Sequence, residues 1–237
     1  MSSWQRPDRG AIEAVVFDAG GVLLVPDGEA GRAALRGMGH ESAAGDWLRA
    51  YHVSNLAQEN WPDNNWPAAR RELAGALGVP GDQLDAAGPL VEAVISAPWR
   101  AADGAAAVLA SLAAGGYQLA IVSNSTGVVE QQLEGCGICS VSGTGMTRVA
   151  IVVDSCVVGV EKPDPRIFSF ALDALQVAPG RCVYVGDTVR FDVTGARAAG
   201  LFPVHLDPFG LCAGDGDHAH IAALDELTHW LVPGQPG

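Results

Sequence analysis

Short apolar runs alternate with helical patterns along most of the chain. Each run is bounded by glycine, proline or polar residues and is rich in β-branched residues, which is typical of buried strands. Strands are predicted at residues 13–18, 118–122, 149–153, 182–186 and 203–206. Helices are predicted near residues 102–114, 126–134, 165–176 and 192–199. The alternation indicates an α/β fold whose parallel sheet is flanked by helices.

A second region lacks strand signals and lies between the first two strands. Its helical patterns run near residues 28–38, 41–58, 67–77 and 82–96. We therefore expect residues 25–98 to form a helical domain, and residues 1–24 and 99–237 to form the α/β domain. Within the helical region, residues 61–67 read Trp-Pro-Asp-Asn-Asn-Trp-Pro. Its tryptophans and amides could bind a sugar or a ring, but a loop held by tryptophan packing is favoured.

Polar residues lie at the points where the predicted strands end. Asp18 is the last residue of the first strand, Ser123 directly follows the second, and Asp187 directly follows the fourth. Parallel α/β sheets bind their ligands at the carboxyl ends of the strands. Lys162 and Asp192 each stand just ahead of, or at the start of, a predicted helix. These five residues are the candidate site.

The residue types favour phosphoryl chemistry with a metal ion. A carboxylate such as Asp18 can attack phosphorus and form an aspartyl phosphate. Carboxylates at Asp18, Asp187 and Asp192 suit Mg2+, which takes oxygen ligands. Lys162 would offset the repulsion among these carboxylates and stabilise the phosphate.

A phosphate site is also predicted where the second strand runs into a helix. Ser123 and the amides of Asn124 and Ser125 would then lie at the helix start, and helix N-termini bind anions. We therefore predict substrate contacts from Ser123, Asn124, Ser125 and Lys162.

The order of these residues resembles the haloacid dehalogenase-like (HAD) hydrolase superfamily. The runs Lys-Pro-Asp-Pro-x-Ile-Phe, from Lys162, and Gly-Asp-x-x-x-x-Asp, ending at Asp192, carry most of the resemblance. It extends from about Glu13 to Asp207. It implies a Rossmann-like core, a small C1-type helical cap that closes over the active site, Mg2+ as cofactor, and a nucleophile at Asp18.

One position departs from the family pattern. HAD phosphatases usually carry a second Asp two residues after the nucleophile, where it protonates the leaving group. Here that position is Gly20, whose carbonyl can bind Mg2+ but whose hydrogen cannot act as an acid. General acid catalysis contributes about 10²–10⁴-fold. Four explanations are compatible with Gly20: the leaving group is good without help, another residue such as His40 or His52 supplies the proton, the reaction is not ordinary phosphate hydrolysis, or activity is lost.

Three functions are compatible with these residues. The favoured one is a Mg2+-dependent phosphatase that acts on a small phosphorylated metabolite through Asp18. A 2-haloacid dehalogenase would attack carbon and would have no use for the acidic pair. A catalytically silent HAD-like binding or regulatory protein is supported only by Gly20. A phosphomutase fits poorly, because it needs the acid that Gly20 lacks.

The charge and hydropathy of the chain limit the kinds of binding partner that we expect. The net charge of −13 and the pI near 4.7 disfavour nucleic acid and anionic membranes. No apolar run reaches the roughly 18–20 residues of a membrane span, and the first residues lack a secretory segment. We expect a cytoplasmic enzyme, with a homodimer left open.

The cysteines and two histidines predict little chemistry of their own. Five cysteines do not form a disulfide framework, and Cys136 and Cys139 form a C-x-x-C without the other half of a zinc site. His218 and His220 lie in the run Gly-Asp-Gly-Asp-His-Ala-His. This run favours a solvated loop over a metal site.

Overall fold

The protein, seen in a computed structural model, is described for residues 9–37, 39–41, 44–58, 66–95, 99–213 and 218–231. The chain forms two compact units. Residues Met1–Leu24 and Ala101–Gly237 belong to one, here called the sheet unit, and Val25–Arg100 to the other, here called the helical unit. That the helical unit acts as a cap stays a prediction.

Ten strands occur in the described residues. In chain order they are β1 (Ala14–Phe17), β2 (Leu24–Val25), β3 (Arg100–Ala101), β4 (Gln118–Ser123), β5 (Cys139–Ser140), β6 (Thr147–Arg148), β7 (Val152–Asp154), β8 (Cys182–Gly186), β9 (Phe202–Leu206) and β10 (Ala219–Ile221). Six of them form one parallel sheet in the order β10-β9-β8-β1-β4-β7. Two short pairs, β2-β3 and β5-β6, complete the set.

Ten α-helices occur in the same described residues. They are α1 (Gly28–Arg36), α2 (Ala44–Gln58), α3 (Trp66–Ala76), α4 (Leu84–Ile95), α5 (Ala105–Ala114), α6 (Val129–Gly135), α7 (Ser155–Val158), α8 (Arg166–Leu175), α9 (Thr194–Ala198) and α10 (Leu224–Leu231). A π-helical turn, Val189–Val193, precedes α9. A parallel sheet flanked by helices confirms the predicted Rossmann-like α/β fold.

The central strands are apolar because both of their faces are covered. All four residues of β1 are buried, and so are all five of β8. Parallel strands covered by helices have such continuous apolar runs. In the register, Phe17 of β1 lies opposite Ile121 of β4 and Val185 of β8. The residues that follow these positions therefore emerge side by side at one sheet edge.

Helix α8 covers one part of this sheet with an amphipathic face. Ile167, Phe168, Ala171 and Leu175 are buried and pack in one cluster with residues of β1, β4 and β8. Their spacing of three or four residues is that of one helix face. The Phe168 ring also meets the Tyr184 ring edge-on, with 5.0 Å between centroids. Helix α8 thereby anchors the segment that leads into it from Lys162.

The helical unit has an apolar core of its own. Leu35, Trp47, Leu73 and Val91, from four different helices, are buried together in one cluster. A Cβ atom built at Gly31 would lie 2.5 Å from the Trp47 ring, so only glycine allows α1 and the indole to approach so closely. The unit thus has a packed interior independent of the sheet.

Some predicted boundaries are wrong, and seven elements of the described residues were not predicted: β2, β3, β5, β6, β10, α7 and α10. The strand predicted at 149–153 is β7, Val152–Asp154, because Val149 and Ala150 donate their amides to Ser140 and Leu119 outside that ladder. Residues 61–65 of the tryptophan-rich run lie outside the described residues.

No helix in the described part of the chain is both long and apolar enough to cross a membrane.

Candidate active site

The side chains predicted to carry chemistry converge at the carboxyl ends of three strands. Asp18 directly follows β1, Ser123 is the last residue of β4, and Asp187 directly follows β8. Because β1 lies between β4 and β8, these positions are neighbours along one edge. The three side chains are all buried. Asp192, on the π-helical turn, is buried most deeply among the acidic residues here, at 1% exposed.

The three carboxylates form a compact oxygen cluster. Asp18, Asp187 and Asp192 each offer an oxygen, and these oxygens lie within 4.8 Å of one another. Lys162 supplies one positive charge among them. Within this cluster, three ionised carboxylates and one ammonium leave two negative charges uncompensated. A hard divalent cation with oxygen ligands fits that charge and that donor set, so the residues suit Mg2+.

Asp192 is the most fully hydrogen-bonded of the three. Its Oδ1 accepts from Lys162 Nζ at 2.7 Å and from the Tyr184 hydroxyl at 2.8 Å. Its Oδ2 accepts from the amide and the hydroxyl of Thr188, at 3.0 and 2.6 Å. A carboxylate has about four lone-pair sites, and four protein donors meet them. This geometry suits a positioning carboxylate better than the direct metal ligand that we predicted at Asp192.

Lys162 lies at the centre of the cluster and is 2% exposed. Its Nζ lies 3.0 Å from Asp18 Oδ1, 2.7 Å from Asp192 Oδ1 and 2.9 Å from the Tyr184 hydroxyl. An ammonium has three N–H donors, and these three acceptors match them. In this arrangement the lysine neutralises and orients carboxylates. Its predicted direct contact with a phosphate would require one of these bonds to be exchanged.

Lys162 is also the only lysine in the sequence, because the other basic residues are arginines. Three acceptors converge on one nitrogen here, which suits a compact ammonium. A planar guanidinium spreads its donors over a fork and cannot place three of them at one point.

Asn124 fixes the backbone of this lysine. Its Oδ1 accepts from the Lys162 amide at 2.8 Å, and its Nδ2 donates to the Lys162 carbonyl at 3.0 Å. The two bonds join the end of β4 to the loop ahead of α8. The predicted substrate contact of Asn124 therefore does not involve its side chain in this structure, which holds Lys162 in place instead.

The predicted helix start after β4 is wrong. Helix α6 begins at Val129, so Asn124 and Ser125 lie in a loop. Asp154 orders that loop, since its Oδ2 accepts from the amides of Gly127 and Val129 at 2.9 and 3.4 Å. The Ser125 amide donates to Ser155 Oγ at 3.1 Å, so it is already hydrogen-bonded within the protein. The anion site predicted at Ser125 is thus not formed as a helix N-terminus.

Two neighbours orient the Asp18 carboxylate. The Ala19 amide donates to Asp18 Oδ1 at 2.7 Å, and the Ser123 hydroxyl also hydrogen-bonds to this carboxylate. The chain then turns sharply, with the Ala19 carbonyl accepting from the amides of Leu23 and Leu24 at 2.9 and 2.8 Å. Gly20 lies in this turn. The predicted metal contact of its carbonyl stays a prediction.

Burial and charge set the pKa values of the cluster. Burial raises the pKa of Asp18 to about 6, against the opposing charge of Lys162. Burial would lower the pKa of Lys162, but the charges of Asp18 and Asp192 reverse this and raise it. The pKa of Asp192 is lowered, because Lys162 and the hydrogen bonds outweigh the effect of burial. Lys162 and Asp192 are therefore a stable ion pair, whereas the pKa of Asp18 lies closer to neutral pH than that of Asp192.

Sequence reasoning missed three residues that shape the site: Tyr184 and Thr188 in the carboxylate cluster, and Asp154 in the loop before α6. Tyr184 lies inside the buried strand β8, and burial raises its pKa well above the usual value, so it stays protonated and can donate. The tyrosine in an otherwise apolar strand was the available sequence signal, because a buried tyrosine hydroxyl needs a hydrogen-bond partner. Thr188 and Asp154 gave no comparable signal, because short polar residues after strands are common in loops.

The residues proposed to replace the missing acid lie in the helical unit. His40 Nε2 lies 2.9 Å from Gln83 Oε1, and His52 is buried within that unit. Neither observation identifies His40 or His52 as the acid that protonates the leaving group.

His218, predicted in a solvated loop, is instead buried at 6% exposed. Of the C-x-x-C pair, Cys139 is buried with a pKa raised by burial to about 12, which disfavours a reactive thiolate.

Comparisons with known proteins agree on one family. The model of haloacid dehalogenase-like hydrolases matches residues 12–200. A phosphoserine phosphatase from Thermus thermophilus is 34% identical over 173 residues, which cover 72% of this chain and 66% of that protein. The haloacid dehalogenase-like hydrolase domain-containing protein 3 of Bos taurus is 37% identical over 116 residues, covering 46% and 43%. The matches thus span less than two thirds of these relatives.

Solved structures show the same fold at lower identity. A HAD phosphatase from Thermococcus onnurineus aligns with a TM-score of 0.57 at 21% identity, covering 93% of this chain and 98% of that one. A dehalogenase aligns with a TM-score of 0.62 at 24% identity, covering 94% and 98%. With the family model matching most of the sequence, the chain belongs to the haloacid dehalogenase-like hydrolases.

Proposed function

We propose that this hydrolase is a Mg2+-dependent phosphatase that acts on a small phosphorylated metabolite through an aspartyl phosphate on Asp18. The observation that carries the proposal is the charge of the carboxylate cluster, which one lysine only partly compensates. Phosphoryl transfer depends mainly on positioning and on neutralising charge. Relatives named as phosphatases of phosphoserine and of glyceraldehyde 3-phosphate support the reaction class.

The roles of the residues follow from their contacts. Asp18, Asp187 and the Gly20 carbonyl would hold Mg2+, which would draw charge from a phosphate oxygen. The Asp18 carboxylate, oriented by Ala19 and Ser123, attacks phosphorus as the bond to the leaving oxygen breaks. Water then cleaves the acyl phosphate, which releases phosphate and restores Asp18. Lys162 offsets the negative charge of the Asp18 carboxylate before the attack and after hydrolysis restores it.

Gly20 has no side-chain acid, so this position cannot protonate the leaving oxygen. Without another acid, the rate should depend steeply on the pKa of the leaving alcohol. Aryl and sugar 1-phosphates should then be much better substrates than phosphoserine, with a gap within the roughly 10²–10⁴-fold worth of a general acid. Equal rates would indicate an acid from elsewhere in the protein.

The deciding experiment measures phosphate release from such a panel in Mg2+ and in EDTA. We expect turnover in Mg2+, loss of turnover in EDTA, and recovery when Mg2+ is restored. Asp18→Asn prepared in parallel controls for contaminating phosphatases. Undiminished turnover in EDTA, or no turnover on any substrate with Mg2+, would refute the proposal.

The same samples test the two other functions. Halide release from a 2-haloacid in EDTA would support a dehalogenase, for which the uncompensated carboxylates have no role. A protein that binds phosphorylated metabolites in Mg2+ without turning them over would be the silent binding protein.

A further inference from the structure

Three histidines and a cysteine form a second cluster of metal-ligating side chains, outside the carboxylate cluster. His205 lies in β9, Cys212 in the loop after β9, and His218 and His220 at β10. Each offers one ligand atom, and the four atoms lie within 4.8 Å of one another. We call these four residues the His–Cys cluster. The four residues span sixteen positions of the sequence, so they do not form a short sequence motif.

The sheet itself brings two of the members together. Strands β9 and β10 are parallel neighbours, and His220 lies directly opposite His205 in their register. Residues opposite each other in a ladder project from the same face. Their ring centroids are accordingly 5.2 Å apart. This pair is therefore fixed by backbone pairing and not by a chance contact of flexible side chains.

Cys212 is held by the loop that carries it. Both oxygens of the Asp207 carboxylate accept backbone amides, from Leu211 and from Cys212, each at 2.9 Å. The loop is thus folded back on the end of β9, which keeps the thiol beside the imidazoles. Cys212 Sγ lies 3.9 Å from His218 Nε2.

Hydrogen bonding alone accounts poorly for the centre of the cluster. His218 Nε2 faces three other ligand atoms: His220 Nε2 at 2.7 Å, His205 Nδ1 at 3.3 Å and Cys212 Sγ at 3.9 Å. An imidazole nitrogen carries either one hydrogen or one lone pair, so it can make only one of these bonds at a time. A single cation shared by all four atoms satisfies every one of them.

The orientation of His205 also suits metal binding. Its Nε2 lies 3.1 Å from the Asp187 carbonyl, which can only accept, so this nitrogen carries the hydrogen. Its Nδ1 then presents a lone pair to the cluster. Metal-binding histidines commonly donate their other N–H to a carbonyl or carboxylate, which fixes the ring for coordination.

We propose that His205, Cys212, His218 and His220 bind one Zn2+ ion. Imidazole and thiolate ligands suit Zn2+ and not the hard cations that carboxylates prefer. Four protein ligands leave no position for water, which is the arrangement of a structural site. Ligand nitrogens around tetrahedral Zn2+ are roughly 3.3 Å apart, as Zn–N bonds of 2.0–2.1 Å require. His218 Nε2 lies 2.7 Å from His220 Nε2 and 3.3 Å from His205 Nδ1, so these nitrogens are already near that spacing.

The ion would join the loop after β9 to strands β9 and β10 of the sheet. Through His205 it would also hold the Asp187 carbonyl, at the strand end where the carboxylate cluster begins. This proposal does not depend on phosphatase activity, since its ligands and its metal differ from those of the carboxylate cluster.

The test measures Zn2+ binding to the tag-free full chain, in excess Mg2+ so that the carboxylate cluster is occupied. Elemental analysis after dialysis should find one Zn2+ per chain in the wild type and in Asp18→Asn. His218→Ala and Cys212→Ser should bind Zn2+ about 100-fold more weakly or worse, since loss of even an outer partner of a ligand costs 10–100-fold. The exposed residues His229 and Cys156 provide matched controls, and His229→Ala and Cys156→Ser should bind normally.

A second measurement needs no variant and so does not depend on mutant folding. Co2+ added to the metal-free wild type should give the near-ultraviolet charge-transfer band of a cobalt thiolate, together with the visible bands of a tetrahedral site. Added Zn2+ should abolish both. A wild type that binds no Zn2+, ligand variants with wild-type affinity, or Co2+ spectra without the thiolate band would each overturn the proposal.

Discussion

The carboxylate cluster lies at the ends of the central strands β1 and β8, and the His–Cys cluster lies at β9 and the edge strand β10, yet the two are built differently. In the carboxylate cluster, charged groups are buried together and Lys162 compensates part of the charge within the protein. In the His–Cys cluster, the imidazole and thiol groups can all be neutral. The ligand atoms of His205, Cys212 and His220 all lie close to His218 Nε2. One cluster has excess charge, and the other has excess lone pairs.

This difference shows how each cluster constrains its ligand. Excess negative charge attracts a hard cation, and a carboxylate cluster neutralised in this way would accept an exchangeable Mg2+ and an anionic substrate. Crowded nitrogen and sulfur atoms favour a borderline metal with fixed geometry. The bond from His205 to the Asp187 carbonyl joins the two clusters through the backbone. Changes within the carboxylate cluster should therefore affect turnover while leaving Zn2+ content unaltered.

The largest expected effect comes from Asp18→Asn. An amide neither attacks phosphorus nor binds Mg2+ as well, so kcat should fall by about 10⁴-fold or more, as for other lost nucleophiles. Steady-state phosphate release in Mg2+ measures it, with exposed Asp173→Asn as the control. Zn2+ content should stay the same. Wild-type turnover in Asp18→Asn would show that another residue is the nucleophile.

Next in size is replacement of the only lysine. Lys162→Met leaves Asp18 and Asp192 buried without their counter-charge, which should cost about 3–5 kcal/mol in the free energy of unfolding. Lys162→Arg keeps the charge but cannot place three donors at one point. Both should lower kcat/KM by about 10²–10³-fold, the usual cost of a lost charge-stabilising group.

Urea unfolding and initial rates measure these two effects. The control is Arg166→Lys, an exposed basic residue in the same segment, which should change neither quantity. If Lys162→Arg were fully active, a positive charge at this position would be sufficient. The requirement for three donors on one nitrogen would then be wrong.

A smaller effect should appear in the pH dependence of metal-free stability. Burial raises the pKa of Asp18 from 3.8 to about 6. The folded state thus binds the proton more tightly, so this stabilisation is present below pH 3.8 and is lost as the pH rises through about 6. The loss corresponds to about 3 kcal/mol, at 1.36 kcal/mol per pKa unit.

Comparison with Asp18→Asn isolates this contribution. In EDTA, the unfolding free energy of the variant relative to wild type should rise between pH 4 and pH 6 and stay level above about pH 7. Excess Mg2+ should reduce the difference, because the cation stabilises the ionised carboxylate. A difference that does not change with pH would mean that Asp18 has an ordinary pKa.

The strand ends were the part of the molecule that could be predicted from sequence. Asp18 and Asp187 follow short apolar runs, and the parallel order of β8, β1 and β4 makes them neighbours. The start of α6 could not be predicted, because Asp154, distant in sequence, orders the loop before Val129. Such long-range side-chain bonds leave no periodic pattern.

The exposure of His218 was wrongly predicted for a related reason. His218 and His220 follow glycine and aspartate residues, a composition typical of solvated loops. Their partner His205 belongs to a different strand, and only the pairing of β9 with β10 brings it near. β10 itself is three residues long, too short for an alternating pattern to reveal.

The smallest expected effect concerns Tyr184, which connects the lysine to Asp192. Its hydroxyl lies 2.9 Å from Lys162 Nζ and 2.8 Å from Asp192 Oδ1, and it also lies 3.2 Å from the Val122 carbonyl. Tyr184→Phe keeps the edge-on packing against Phe168 but removes this bridge. Because Lys162 and Asp192 still pair directly, stability should fall by only about 1–3 kcal/mol, the cost of a lost buried hydrogen bond.

The matched control for this change is Tyr117→Phe, which removes a hydroxyl that donates to the Leu231 carbonyl at 2.6 Å, away from both clusters. Both variants should lose stability in urea unfolding, but only Tyr184→Phe should also lower kcat/KM, and by less than Lys162→Arg does. The reason is that the hydroxyl positions Lys162, whereas the ammonium itself carries the charge. Equal effects of the two tyrosine variants on kcat/KM would show that the bridge from Lys162 to Asp192 does not position the lysine.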